Sequence, residues 1–98
     1  MIVAAVVDLR DLHCFDVLAR TMHFGRAAEE LHTSQSTLSR RIRRLEKEMG
    51  VVLLTRTSRS VALTESGREL ATRLPSALRH LDLALAAARA PGDGGWEV

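Results

Sequence analysis

Ser34, Gln35, Ser36, Thr37, Ser39, Arg40 and Arg43 fall within one short stretch of the chain. Their chemistry is hydrogen bonding and charge rather than bond making. Gln and Arg side chains each offer two-point contacts to base edges, Gln to adenine and Arg to guanine. Hydroxyls and cations reach phosphate oxygens. A catalytic use finds no support. The serines have no accompanying His and Asp set that would make one of them a nucleophile. His13, His23, His32 and His80 contain no i, i+4 pair, and the single Cys14 cannot complete a zinc set. There is no Gly-rich phosphate loop. The expectation is therefore no catalytic residue, no metal, no cofactor and no enzyme.

Those side chains need a rigid element to present them. Leu38, Ile42, Leu45 and Met49 recur at i, i+4, i+7 and i+11, one apolar stripe of a helix. Ser36, Arg40, Arg43 and Lys47 fall on the opposite side, with Gln35 and Ser39 on its edges. Thr33 or Ser34 can cap the start, because a hydroxyl there accepts from an unpaired backbone N–H. Gly50 stops the helix as a left-handed residue. The N-terminal end is small and polar, so it can enter a major groove without steric bulk. An arginine-rich helix alone would equally be a solvated surface. The preceding segment decides between the two: Phe24, Ala27, Ala28 and Leu31 form a short amphipathic helix that breaks at His32 and Thr33. Two helices joined by such a turn have helix-turn-helix spacing, and that points to duplex DNA.

Charge distribution supports this more than charge itself. The chain has 98 residues, 46% apolar, with a formal charge of only +2. That is the size of one small domain. Residues 33–63, however, hold seven basic side chains (Arg40, Arg41, Arg43, Arg44, Lys47, Arg56, Arg59) against two acidic ones (Glu46, Glu48). A local basic patch is the footprint of a nucleic-acid binder. One cysteine excludes an internal disulfide and fits a reducing cytoplasm. The apolar MIVAAVV start has no basic flank, and no apolar run approaches the roughly 18 residues of a membrane span.

The rest of the chain frames the two helices. Residues 1–7 are an apolar extension whose structure the sequence does not choose. Asp8 caps a first helix over 9–21, with Asp11 favouring its positive end. Leu12, Phe15, Leu18, Ala19 and Met22 share its core face, and His13, Cys14 and Asp16 lie off or beside it. After Gly50 the period changes, and Leu53–Thr55 and Val61–Leu63 read as two short antiparallel strands around a loop at 57–60. Arg56 and Arg59 sit at the tip of this hairpin, where they can reach a minor groove or phosphates. Residues 8–63 thus form one DNA-binding unit. Thr64 and Glu65 open a last helix, 64–90. Leu70, Leu74, Leu78, Leu81 and Leu85 form a seam of coiled-coil type along it, longer than so small a core needs. Its natural partner is a second copy of the chain, the alternative being packing within the single chain. Pro75 falls inside this helix and predicts a kink near 72–75. Pro91 and the glycines after it make residues 91–98 a flexible tail.

Taken together, LRDLHCFDVLA, FGRAAEELHTSQSTLSRRIRRLEKEMGVVLLTRT and VALTESG resemble the N-terminal DNA-binding domain of a LysR-type transcriptional regulator. The string AA-x-x-L-x-x-S-Q-x-x-L-S-R-x-I-x-x-L-E is the most specific part, and the resemblance covers residues 9–90. It implies a mainly α fold: a winged helix-turn-helix with a two-stranded β wing and a long C-terminal dimerisation helix. It also implies a bacterial, cytoplasmic, sequence-specific regulator. Carried over by position, Gln35, Ser36, Thr37, Ser39 and Arg40 would face the groove, while Arg26, Arg56 and Arg59 would contact the backbone. The expected partners are a near-palindromic duplex operator and a second copy of the chain through the last helix. The chain departs from the family pattern in three places. Residues 1–6 precede the usual start. Leu54 stands where the family usually has Phe. The sequence also stops at the hinge that leads to an effector domain, so no small-molecule control is expected of it. An alternative function is a dimerisation module that pairs with a full-length regulator and modulates it.

Overall fold

A computed structural model describes residues 7–57 and 60–90. Helix α1 spans Leu9–Thr21, α2 Phe24–Glu30 and α3 Gln35–Met49. Strands β1 (Leu54–Arg56) and β2 (Val61–Leu63) form an antiparallel hairpin, and α4 covers Glu65–Arg89. Among the described residues this is the expected mainly α, winged helix-turn-helix arrangement.

Each helix begins on a side-chain cap. Asp8 accepts from the Arg10 N–H, Ser34 from Thr37 N–H and Thr64 from Gly67 N–H. The α2 cap is His23, whose Nδ1 accepts from Arg26 N–H at 3.0 Å. Each such bond satisfies one of the donors a helix start leaves unpaired. Met22 and His32 take left-handed backbone conformations at φ 52° and 55°, turning the chain sharply on either side of α2. Gly50 ends α3 at φ 75°, as its position predicts.

Phe15, Leu18, Ala27, Leu38, Ile42, Leu45 and Leu53 are fully buried and form the centre of the core. Helix α1 packs against α2, α3 and α4 together. Its buried arc is therefore wider than one stripe. Cys14, expected beside the stripe, is buried, and Val17 joins it. Met22, expected on the stripe, is instead the exposed C-cap. Met49 is also exposed, because the stripe of α3 runs out of partners in its last turn. Val7 packs on the edge of the core.

Strand β1 starts one residue later than expected while β2 spans the expected residues, with Leu54 opposite Leu63 and Arg56 opposite Val61. Its base is tied down at several points. Glu46 of α3 accepts from the backbone N–H groups of Leu53 and Leu54 at 2.8 and 3.1 Å. Thr64 donates its hydroxyl to Val52 O at 2.6 Å while capping α4. Gly67 lies in the first turn of α4 directly against the Leu53 carbonyl, where a Cβ would have no room. These contacts hold a hairpin that would be marginal alone.

Helix α4 continues through Pro75 as one helix. Its leucine seam divides into two parts. Leu74 and Leu78, expected to face a partner, are 5% and 6% exposed and belong to the core of the single chain, since α1 covers them. Leu70 packs at the edge of that core. Beyond Leu78 every described residue of α4 is exposed, including Leu81, Leu83 and Leu85.

Candidate nucleic-acid interface

Helix α3 is fixed by its buried stripe on one side and a charge clamp on another. Asp11 is completely buried and accepts from Arg41 at 3.1 Å and from Arg44 Nε at 2.8 Å. A second Arg44 nitrogen reaches Asp11 Oδ1 at 3.0 Å and Asp8 at 3.2 Å. The Asp8 carboxyl is held below its ordinary pKa, first by the Arg10 backbone N–H and then by the nearby guanidinium groups. Arg44 is thus committed to α1 through three contacts, and Arg41 gives α1 one of its nitrogens. The positive charge left on the open side of α3 comes from Arg40, Arg43 and Lys47, all exposed. Spacing alone does not reveal this clamp, because arginines beside a buried stripe can equally stay solvated and the pairing depends on how α1 packs on α3.

The first turn of α3 is a hydroxyl cluster. Ser34 Oγ accepts from Thr37 N–H at 3.1 Å and lies 2.9 Å from Thr37 Oγ1 and 3.3 Å from Ser36 Oγ. Arg40 leans back on Thr37 Oγ1 at 3.5 Å. Gln35 and Ser36 project outward and are exposed. Arg26 is exposed in the first turn of α2, held by the His23 cap.

The expected wing arginines fare differently. Arg56 is the last residue of β1 rather than part of the loop, and it is half-buried. It donates to Ser39 Oγ at 2.9 Å, and its guanidinium lies 4.7 Å from the centre of the Phe24 ring. Burial, then the charge of Arg43, lowers its pKa. One side chain thereby joins the wing, α3 and the start of α2, a link that alternating patterns in a sequence do not reveal. Arg59 lies outside the described residues.

His23, Gln35, Ser36, Ser39 and Arg56 line an open groove of about 480 Å³ between α2, α3 and the hairpin. Met22, Phe24 and Val61 add apolar wall, and Arg56 brings a cation to it. Among the described residues no group of three or more His, Cys, Asp or Glu side chains is placed to hold a metal, and no helix is long and apolar enough to cross a membrane. An exposed polar helix end beside an arginine-bearing hairpin, both anchored on one core, is an arrangement for contacting a nucleic-acid backbone and its base edges.

Comparison with known proteins decides the family. The model for bacterial regulatory helix-turn-helix proteins of the lysR family matches residues 9–68, more than half of the chain. The chain belongs to the LysR family. Its residues 9–68 are a LysR-type helix-turn-helix DNA-binding domain. It is 55% identical to the transcriptional activator IlvY of Salmonella typhimurium over 64 residues, which are 65% of this chain and 22% of IlvY. It is 47% identical to the dual regulator OxyR of Escherichia coli over 75 residues, 76% of this chain and 25% of OxyR. The chain therefore spans about a quarter of the curated relatives it matches.

Solved structures agree. The DNA-binding domain of BenM, in complex with catB site 1 DNA, superposes with a TM-score of 0.81 at 32% identity, covering 89% of this chain and 98% of that one. A full-length OxyR variant from Pseudomonas aeruginosa gives a TM-score of 0.80 at 35% identity, covering 88% of this chain and 29% of that one. The LysR fold expected from the motif string is the fold observed, and Leu54, in the place of the usual Phe, is buried in its core.

Proposed function

We propose that this LysR-type domain reads a near-palindromic operator as a homodimer and so serves transcription regulation in a bacterial cytoplasm. The observation that carries the DNA-reading part is the exposed polar end of α3. Gln35, Ser36 and Arg40 are exposed beside the arginine-bearing hairpin, while Arg44 is turned to Asp11 and Asp8. The BenM domain, whose structure with DNA superposes on this chain, supports the same use here. Gln35 and Arg40 are the base-reading candidates. Ser34, Thr37 and Ser39 shape the end of the helix, and Arg26, Arg43, Arg56 and Arg59 are the backbone contacts.

The dimer part rests on α4. Its end past Leu78 carries Leu81, Leu83 and Leu85 at 37%, 60% and 45% exposure. Fully burying a leucine is worth roughly 1.5–3 kcal/mol, and an exposed apolar strip of this kind marks an interaction surface. A second copy covers the strip and sets two α3 helices at fixed spacing, which asks for two inverted half-sites on successive turns of the duplex. Leu81 and Leu85 are the interface residues of this reading. Selection from a random DNA pool with the purified chain tests it. The expected product is a consensus of two inverted half-sites. Recovery of unrelated sequences would count against sequence-specific reading. A single half-site, from a chain that sediments as a monomer, would count against the dimer.

A further inference from the structure

A second concavity, of about 400 Å³, lies on the flank of α3 opposite the hairpin. Arg10 and His13 of α1, His32 and Thr33 of the turn before α3, and Thr37 and Arg41 of α3 line it together with the apolar Cys14 and Leu31, with no carboxylate in the lining. We propose that it seats a phosphodiester of the bound duplex, so that α1 as well as α3 and the wing grips the DNA backbone. The proposal rests on the DNA-reading role set out above.

The geometry of the duplex supplies the first reason. A major groove is about 12 Å wide, and a helix with its side chains is about 10–12 Å across. A helix seated there has a sugar–phosphate strand along each flank. Ser36, Ser39 and Arg56 border one flank of α3. Thr37 and Arg41 border the other, and this flank meets α1 and the turn.

The residues supply the second reason. Arg10 has a side chain 75% exposed, and its ion pair with Asp8 is long, at 3.7 Å. Such a pair in water is worth little, so the guanidinium is available to an anion. The Arg10 backbone N–H is held by Asp8 at 2.8 Å, which fixes where the side chain starts. Arg41 gives one nitrogen to Asp11 at 3.1 Å, and a guanidinium has further donors to present. Thr33 and Thr37 add hydroxyls of a kind that commonly meet phosphate oxygens. Asp11 stays behind Arg41, fully buried, and faces no ligand.

Arg10 is the residue to change, because removing Arg41 would strip Asp11 of a partner. The probes are a duplex recovered by selection with the wild-type chain and a random-sequence duplex, each titrated over a range of salt. Arg10→Ala is expected to weaken both by a common factor of about three to ten and to lower the salt slope by about one. Arg10→Lys should restore the slope. Replacing phosphates of the selected duplex one at a time with neutral methylphosphonates should reveal one position per half-site whose loss costs the wild-type chain affinity but costs Arg10→Ala nothing more. If Arg10→Ala melts early, Arg10→Met keeps the aliphatic stem and carries the same test. An unchanged salt slope in a folded variant, with Arg40→Ala still weakening the selected duplex, overturns this site and leaves the DNA-reading role standing. A wild-type chain that binds neither duplex overturns both.

Discussion

Arg44 Nε donates to Asp11 Oδ2 at 2.8 Å across 33 residues of sequence, and Asp11 has no exposed surface. The pair joins α1 to α3 and turns Arg44 away from the open side of α3, the side proposed to meet DNA. Arg44→Ala should lower stability by about 1.5–3 kcal/mol, the usual worth of hydrogen bonds to a charged group. It should leave the salt dependence of DNA binding unchanged. A denaturation midpoint and a salt titration on the same variant check both halves.

Arg40 has no such commitment. It is exposed, with one long contact to Thr37 at 3.5 Å. Arg40→Ala should cost about 1–3 kcal/mol in operator binding and relax preference at one base position. An equal loss on operator and random DNA would make Arg40 a phosphate contact instead.

Arg56 and Ser39 should behave as a unit, because the guanidinium bonds the hydroxyl at 2.9 Å. In a double-mutant cycle on DNA affinity, Arg56→Ala and Ser39→Ala should couple by about 0.5–3 kcal/mol. Simple additivity would mean that the two act on DNA separately.

Periodicity located the four helices because each has an apolar stripe, and α1, α3 and α4 also have a hydroxyl or carboxylate ready to cap them. It failed where one residue serves two elements. Asp11 looked like a helix-start charge, and its place under Arg41 and Arg44 depends on how α1 and α3 pack. Arg56 looked like a loop-tip cation, and its seat between Ser39 and Phe24 depends on a one-residue strand register. Leu74 and Leu78 continued the spacing of Leu81 and Leu85, and a linear pattern cannot tell a leucine facing its own core from one facing a partner. The cap at His23 was hidden because imidazole is not a common capping group.

That division of the leucine seam sets the dimer test. Leu78→Asp would damage the core of the single chain, since Leu78 is 6% exposed. Leu85→Asp changes an exposed position and should leave the melting transition of the headgroup intact. It should shift the sedimentation of the chain from dimer to monomer and weaken operator binding by removing the gain from linked half-sites. A Leu85→Asp chain that still sediments as a dimer would place the interface elsewhere.

The central claim is that α3 reads sequence, and the affinity ratio between a selected duplex and a random one, measured for the purified chain at about 0.15 M salt, tests it most directly. A reader of base edges is expected to prefer its selected site by at least about 10³, and Arg40→Ala should cut that ratio. A ratio near one would contradict the account.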